Sequence, residues 1–305
     1  MANNLNARWY NGVLALYPPS HTGIAYYVDA TNGASTNQGL SWIDALATVD
    51  QAIAKCTANI GNKIYMAPWH AESEATAATA LLTMSKAGID LIGMRQGNQR
   101  PTFTVTAADS YLTVTAANCR VSNIKIASGV ADMAIGMIAG ASADGLQVDN
   151  CIFTDGAVDE ELVIGLQIAA ACNGCKILDN EFWCDTAGTG GCASAIRLVG
   201  ESAATIIAGN TAHGDYSLAV LDGETAAATL LTICDNDFCN IDTTAGECVS
   251  LNASTTGFIV RNTFGGAKAA NGIAACIIGD GVYTALNYST GAVNASGILA
   301  EPAAE

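Results

Sequence analysis

The stretch Arg120–Ile126 reads RVSNIKI, and five later segments of the chain repeat its pattern. They are QVDNCIF (147–153), KILDNEF (176–182), TIIAGNTA (205–212), TICDNDF (232–238) and FIVRNTF (258–264). Each copy has an aliphatic anchor, and the six anchors are Val121, Val148, Ile177, Ile207, Ile233 and Ile259. They are separated by 27, 29, 30, 26 and 26 residues. A period of this length is typical of proteins built from stacked structural repeats.

Each copy predicts two short strands joined by a sharp bend. The residue two positions after the anchor is Asn123, Asn150, Asp179, Gly209, Asp235 or Arg261, and Asn, Asp and Gly are the types that tolerate a left-handed backbone. In four copies an asparagine follows directly, at positions 180, 210, 236 and 262. Five positions after the anchor an apolar residue returns, and these residues are Ile126, Phe153, Phe182, Ala212, Phe238 and Phe264. We expect these residues and the anchors to point inward.

A third apolar segment separates successive copies. The six segments are AIGMIA (134–139), VIGLQI (163–168), AIRLV (195–199), LAVL (218–221), CVSL (248–251) and ACII (275–278). Each period therefore supplies about three strands and almost no helical pattern, so one coil can bury its apolar face only against the next. The L-x-x-L-x-L frame of leucine-rich repeats is missing. The sequence predicts an all-β fold, a parallel β-helix.

A short amphipathic helix is predicted near residues 48–58, where it would cap one end of the solenoid. Thr48 and Gln51 have the spacing of a capping box, and Val49, Ala52, Ile53 and Cys56 follow at helical spacing. The segments KIYMAP (from Lys63) and IDLIGM (from Ile89) predict the first coils. We assign residues 1–25 to an N-terminal arm, 26–290 to the β-helix and 291–305 to a tail.

The opening of the solenoid resembles a known family. The strand YYVDATNG (26–33), the loop NQGLSW (37–42), the capped helix and KIYMAP resemble the start of right-handed parallel β-helix proteins of the pectate-lyase-like superfamily. The resemblance runs from about Tyr26 to Tyr288. It implies a right-handed β-helix, and it leaves the activity open, because that superfamily includes lyases, glycosidases and phage spike or coat proteins without catalysis.

Composition excludes several kinds of partner. The chain has 12 basic and 28 acidic residues, a formal net charge of −16, which argues against nucleic acid, anionic lipid and polyanionic substrates. No apolar run reaches the roughly 18 residues of a membrane span. The 11 cysteines are expected to be mostly reduced thiols in strands, and Cys172 and Cys175 have no second cysteine pair or histidine nearby. The sequence predicts neither a metal nor a cofactor.

Two carboxylate pairs are candidates for glycoside cleavage. Asp179 and Asp235 occupy one column two coils apart, which separates them by about 10 Å, and Glu181 and Asp237 repeat the relationship. Hydrolysis needs two carboxyl groups on either side of the scissile bond. Asp179 and Asp235 also lie at the predicted bend, where Asp and Asn suit the backbone conformation. The sequence favours this structural role over a catalytic one. His213 is expected to be a solvent-facing turn residue.

The N-terminal arm carries apolar side chains that have no place in the repeat. They are Trp9, Tyr10, Leu14, Leu16 and Tyr17. An arm before a compact β-helix resembles phage virion proteins, so these residues are predicted to bind a partner. The sequence favours a non-enzymatic capsid decoration protein, a homotrimer on a major capsid or other virion protein, assembled in the host cytoplasm. The alternatives are a tailspike-type polysaccharide depolymerase, hydrolase or lyase, and a secreted carbohydrate-binding β-helix.

Overall fold

Three parallel β-sheets run along the chain, and successive coils contribute one strand to each sheet in turn. The computed structural model describes residues 6–10, 13–17, 23–74, 80–157, 159–184, 191–242, 247–266, 276–289 and 297–298. Between neighbouring coils the strands of all three sheets pair in parallel. The predicted right-handed parallel β-helix is thereby confirmed.

Sheet 1 contains the anchor residues of the repeat. Its strands are β3 (Ala25–Val28), β4 (Lys63–Met66), β7 (Asp90–Gly93), β10 (Arg120–Ser122), β13 (Gln147–Asp149), β16 (Lys176–Leu178), β19 (Ile206–Ala208), β22 (Leu231–Cys234), β25 (Gly257–Val260) and β28 (Val282–Ala285). Each anchor pairs with the next, from Val121 opposite Val148 to Ile233 opposite Ile259. The spacing of the copies in the sequence is therefore the length of one coil.

Sheet 2 follows the bend and sheet 3 completes each coil. The strands of sheet 2 are β5 (Ala71–Glu74), β8 (Thr102–Val105), β11 (Lys125–Ser128), β14 (Ile152–Thr154), β17 (Glu181–Trp183), β20 (Thr211–Gly214), β23 (Asp237–Asn240), β26 (Thr263–Gly266), β29 (Tyr288–Ser289) and the antiparallel β30 (Gly297–Ile298). Those of sheet 3 are β6 (Ala80–Met84), β9 (Tyr111–Val114), β12 (Met137–Ala139), β15 (Ile164–Ile168), β18 (Ser194–Leu198), β21 (Ala219–Gly223), β24 (Glu247–Leu251) and β27 (Cys276–Ile277).

The bend between sheets 1 and 2 has a left-handed backbone in every copy. The φ angles are 58° at Asn123, 54° at Asn150, 53° at Asp179, 68° at Gly209, 57° at Asp235 and 56° at Arg261. Arg261 adopts this conformation although a Cβ disfavours it. The predicted strand–bend–strand unit is confirmed.

The asparagine after the bend forms a buried ladder of amides along the solenoid. Its members are Asn180, Asn210, Asn236, Asn262 and Asn287. At Asn210 the Nδ2 group donates to Oδ1 of Asn236 and to the carbonyl of Ile177, both at 2.9 Å. Its Oδ1 accepts from the backbone N–H and the Nδ2 of Asn180, both at 3.0 Å. Each amide thus satisfies backbone groups that the bend leaves buried.

The core is a set of stacked columns inside the coils. The predicted inward residues Val148, Ile177, Phe182, Ile233, Phe238 and Phe264 are all buried. The rings of Phe153 and Phe182 stack with centroids 4.7 Å apart, and those of Phe238 and Phe264 lie 6.4 Å apart. Coil-to-coil contact between like residues therefore fills the interior.

The capping helix is present as α1 (Val49–Lys55), and its capping box is formed. The N–H of Gln51 donates to the Thr48 hydroxyl, and the Gln51 side chain accepts from the Thr48 N–H. Val49, Ala52 and Ile53 are buried, and the helix contacts β3, β4 and β6. Among the described residues no helix is long and apolar enough to cross a membrane.

The arm has an antiparallel hairpin of its own, formed by β1 (Asn6–Tyr10) and β2 (Val13–Tyr17). Its backbone register places Trp9 opposite Leu14 and Tyr10 opposite Val13. The side chains of the predicted partner-binding residues lie outside the described part of the chain, so their role stays a prediction.

We expect Phe238→Ala to destabilise the fold by about 3–5 kcal/mol, because it opens a cavity between the coils of Ala212 and Phe264. The matched control is Phe258→Ala on the outer face of sheet 1, where the ring is 51% exposed, and it should cost under about 1 kcal/mol. Equilibrium unfolding in guanidinium chloride measures both. Equal losses from the two variants would contradict the assigned register.

A second prediction concerns the ladder. Asn210→Ala should cost about 2–5 kcal/mol, because the N–H of Asn180 and the carbonyl of Ile177 then stay buried without their amide partner. Asn98→Ala is the control, since Asn98 is an exposed asparagine in the 3₁₀ turn Gly97–Gln99, and it should change the unfolding free energy by under about 0.5 kcal/mol. A loss at Asn210 as small as that at Asn98 would show that the ladder contributes nothing.

Candidate functional site

The carboxylates of the bend lie on the surface, and Asp235 is engaged in an ion pair. The Arg261 guanidinium donates twice to the Asp235 carboxylate, at 2.8 and 2.7 Å. These hydrogen bonds hold the pKa of Asp235 below its ordinary value. Asp179 lies two coils away across Gly209, where a Cβ would come within 2.2 Å of the Asp179 Oδ1. The catalytic role of Asp179 and Asp235 stays a prediction, and the ion pair favours an ionised Asp235 over a proton donor.

A different group of side chains lies on the outer face of sheet 2. Alternation along β17, β20 and β23 turns Phe182, Ala212 and Phe238 inward, so their neighbours point outward. Register then brings the outward residues into two columns. These columns are Glu181, Thr211 and Asp237, and beside them Trp183, His213 and Cys239. We call this surface the Trp183 face.

Trp183 is the main aromatic group of this face. Its side chain is 46% exposed, and its ring centroid lies 5.9 Å from that of His213 with the planes at 40°. The indole Nε1 donates to the Glu181 carboxylate at 3.4 Å. Trp183 was not among the sequence candidates, and His213 lies on strand β20 rather than in a turn, although it is exposed as expected. The signal for both is the alternation of side chains along a strand. An inward residue at 182 predicts that Trp183 points outward, and an inward residue at 212 predicts the same for His213.

A carboxyl pair lies at the end of this face. Asp215 directly follows β20, and Asp242 follows β23 two residues after its last strand residue, in the next coil. The two side chains hydrogen-bond to each other. Burial, followed by the charge and hydrogen bond of Asp242, raises the pKa of Asp215.

A disulfide in the preceding coil lies against the backbone carbonyl of Asp215. Cys184, which follows Trp183, is bonded to Cys192. The N–H of Cys192 donates to the Asp215 carbonyl at 3.0 Å, and a Cβ at Gly191 would come within 2.9 Å of that oxygen.

The remaining cysteines of the described structure are thiols, nine in number. This agrees with the expectation that most are reduced, and the Cys184–Cys192 bond is the exception. Cys172 and Cys175 are buried with their sulfurs 2.9 Å apart, and burial raises the pKa of Cys151 to about 12. Among the described residues, the side chains that could together hold a metal are Asp155, Cys184 and Cys192, which lie within 4.8 Å of one another. Two of these three side chains, Cys184 and Cys192, are joined in the disulfide and therefore offer no free thiolate to a metal.

Comparison with known proteins shows a likeness in structure alone. No protein-family model matches the chain, and no curated protein matches it. Similar solved structures include a rhamnogalacturonan lyase, at 15% identity and a TM-score of 0.49 over 80% of this chain and 74% of that one. A pectin methylesterase from Aspergillus niger has 13% identity and a TM-score of 0.48 over 90% and 87%. The pectate lyase Pel9A has 14% identity and a TM-score of 0.40 over 90% and 82%. The resemblance to pectate-lyase-like proteins is confirmed, and it is one of fold.

Proposed function

We propose that the protein binds a polysaccharide across the Trp183 face. The observation that carries this proposal is the exposed Trp183 ring beside His213, with the Glu181 and Asp237 carboxylates on the neighbouring column. An aromatic ring offers an apolar surface for the face of a sugar ring, and carboxylate and imidazole groups bond its hydroxyls. Such a mixture of one apolar platform and a few polar groups is what a specific ligand site requires.

The geometry of the solenoid suits an extended polymer. Outward side chains recur at every coil, about 4.8 Å apart along the axis. A glycan that lies along this axis meets Trp183, then His213, then Cys239 in successive coils. Thr211 adds a hydroxyl between the two carboxylates of the other column. The same repetition that builds the scaffold thus supplies a row of contacts.

A depolymerase is the second candidate, and the placement of Glu181 and Asp237 supports it. Both are exposed, both lie in one column, and Thr211 separates them. Two strand spacings put their backbones about 10 Å apart, close to the roughly 6.5–9.5 Å between the carboxyl groups of an inverting glycosidase. One carboxyl group would protonate the leaving oxygen while the other removes a proton from the attacking water.

The virion role predicted from the sequence rests on the arm. It stays a prediction, as do a homotrimer, a capsid partner and assembly in a host cytoplasm. The side chains of Trp9, Tyr10, Leu14, Leu16 and Tyr17 are outside the described residues, and polysaccharide binding by the solenoid is compatible with either a particle-bound or a secreted protein.

Trp183→Ala should weaken polysaccharide binding at least tenfold without changing the unfolding midpoint, because the ring is a surface platform and leaves no cavity. The control is Trp69→Ala, which removes another exposed tryptophan, 60% exposed and far along the chain from this face. Binding to a panel of soluble polysaccharides is measured by calorimetry for the wild type and both variants. Equal affinity of the Trp183 variant and the wild type would refute the proposed site.

The same panel separates binding from cleavage. In the depolymerase case the wild type releases reducing ends, and the double variant E181Q/D237N loses release by a factor of at least 10³ while it keeps the part of its affinity that comes from Trp183. If the wild type binds and releases nothing, the depolymerase candidate fails and the binding function stands.

A further inference from the structure

The corner between sheet 3 and sheet 1 contains two cysteine thiols in direct contact. Cys172 and Cys175 lie in the segment that joins β15 to β16, and both side chains are fully buried. Their sulfur atoms are 2.9 Å apart. Because bonded sulfurs lie about 2.05 Å apart, an approach of about 0.9 Å is enough to join them.

The backbone around the two thiols forms a turn that reaches the surface. Ala171 and Gly174 have left-handed φ angles of 64° and 66°. Ala171 and Asn173 are exposed, and Gly174 is half-buried. The two buried thiols therefore belong to a surface turn, and local opening of that turn gives a small oxidant access to them.

The carbonyl group that contacts both thiols keeps a hydrogen bond when the thiol protons are removed. The Cys172 thiol donates to the Ala143 carbonyl at 3.4 Å, and the Cys175 sulfur lies 3.9 Å from the same oxygen. This oxygen also accepts the N–H of Leu146 at 3.0 Å. Joining the two sulfurs therefore does not leave this carbonyl without a partner, which is the costly outcome for a buried polar group.

We propose that Cys172 and Cys175 form a redox site, which hydrogen peroxide converts to a disulfide and a dithiol converts back. The Cys175 thiolate attacks one peroxide oxygen, the O–O bond breaks, and a sulfenic acid and hydroxide form. The Cys172 sulfur then attacks the Cys175 sulfur, and the S–O bond breaks as the oxygen leaves as water with the Cys172 proton. The two sulfurs lose two electrons to the peroxide. This site lies apart from sheet 2 and its action goes beyond polysaccharide binding.

The two thiols have different roles because they differ in acidity. The hydrogen bond from the Cys172 thiol lowers the pKa of Cys175, and the same bond together with burial raises the pKa of Cys172. The thiolate is the form that reacts with an oxidant. Cys175 is therefore the attacking group, and Cys172 supplies the second sulfur.

The disulfide clamps a turn that connects three successive coils. The N–H of Asn173 donates to the Asp144 carboxylate at 2.7 Å, and the Asn173 Oδ1 accepts the N–H of Ala203 at 2.8 Å. The N–H of Gly174 donates to the Ala203 carbonyl at 2.7 Å. A cross-link on either side of Asn173 restricts the local openings in which these bonds break. Oxidation should therefore slow hydrogen exchange at the Asn173 and Gly174 amides at least tenfold.

Alkylation followed by mass spectrometry tests the inference by counting free thiols. Trypsin releases residues 126–176 as one peptide, which contains Cys151, Cys172 and Cys175. Cys151 is the internal control, because it is equally buried and its sulfur contacts the backbone carbonyls of Asp149 and Val121 rather than a thiol. The native protein is treated with increasing hydrogen peroxide, quenched with catalase, alkylated in denaturant and digested.

The peptide should change from three alkyl labels to one at a peroxide concentration at least tenfold below the concentration that oxidises Cys151. Dithiothreitol added before alkylation should restore all three labels. A native protein whose peptide carries one label before any peroxide, and three after dithiothreitol, also supports the site.

Serine variants separate the roles of the two thiols. In C172S the Cys175 sulfur should stop at the sulfenic acid, which dimedone traps, whereas C175S should form no sulfenic acid at Cys172. C151S is the matched control, and its peptide should lose both remaining labels together as the wild type does. Should a variant fail to fold, the titration of the wild type decides the matter. If Cys172 and Cys175 keep their labels until Cys151 is oxidised, or lose them one at a time, the inference is wrong.

Discussion

Hydrogen bonding between buried asparagine amides is the interaction on which the rest of the solenoid depends. A bend between two buried strands leaves backbone N–H and carbonyl groups that water cannot reach. In the described coils from Asn180 to Asn287, the amide of each coil bonds both the backbone and the amide of a neighbouring coil. An amide serves because it donates and accepts at once, which a carboxylate or an ammonium cannot.

The ladder also fixes where outward side chains meet. A coil that slipped by one residue would turn its strands inside out and move Phe182 to the surface. Because the bend and its amide hold the register, Trp183 faces His213 and Glu181 shares a column with Asp237. The repeated segment is therefore a scaffold, and the positions that vary between copies are the ones free to carry chemistry. On the Trp183 face such positions carry an aromatic ring and several acids.

Regular features of this fold could be predicted from the sequence because they depend on local rules. The anchors Val148, Ile177 and Ile233 recur at the length of a coil, and their register and burial are as predicted. The capping box of α1 is formed by Thr48 and Gln51, so four consecutive residues are enough to predict it. The amide of Asn287 escaped notice because Leu286 stands at its bend, with a φ of 56°, instead of Asn, Asp or Gly.

The candidate site could not be found in the same way, because no sequence motif marks it. Its residues are far apart in the chain and become neighbours only when successive coils pair in register. Trp183 and His213 are separated by a segment that includes loops of irregular sequence, and their contact follows from strand pairing. Asp215 lies eight residues after the anchor Ile207 and Asp242 nine residues after the anchor Ile233, so the two do not share one position of the repeat. The Cys184–Cys192 bond was missed since odd cysteine counts and an apolar core argued for thiols.

The proposed function assigns ligand binding to the outer face of sheet 2 and not to the arm or the capped end. The chain has four tryptophans, at positions 9, 42, 69 and 183, so fluorine NMR of 5-fluorotryptophan-labelled protein reports on each region separately. After assignment by single Trp→Phe variants, titration with a bound oligosaccharide should shift the Trp183 resonance and leave the other three in place. A shift of the Trp9, Trp42 or Trp69 resonance with Trp183 unmoved would contradict the account.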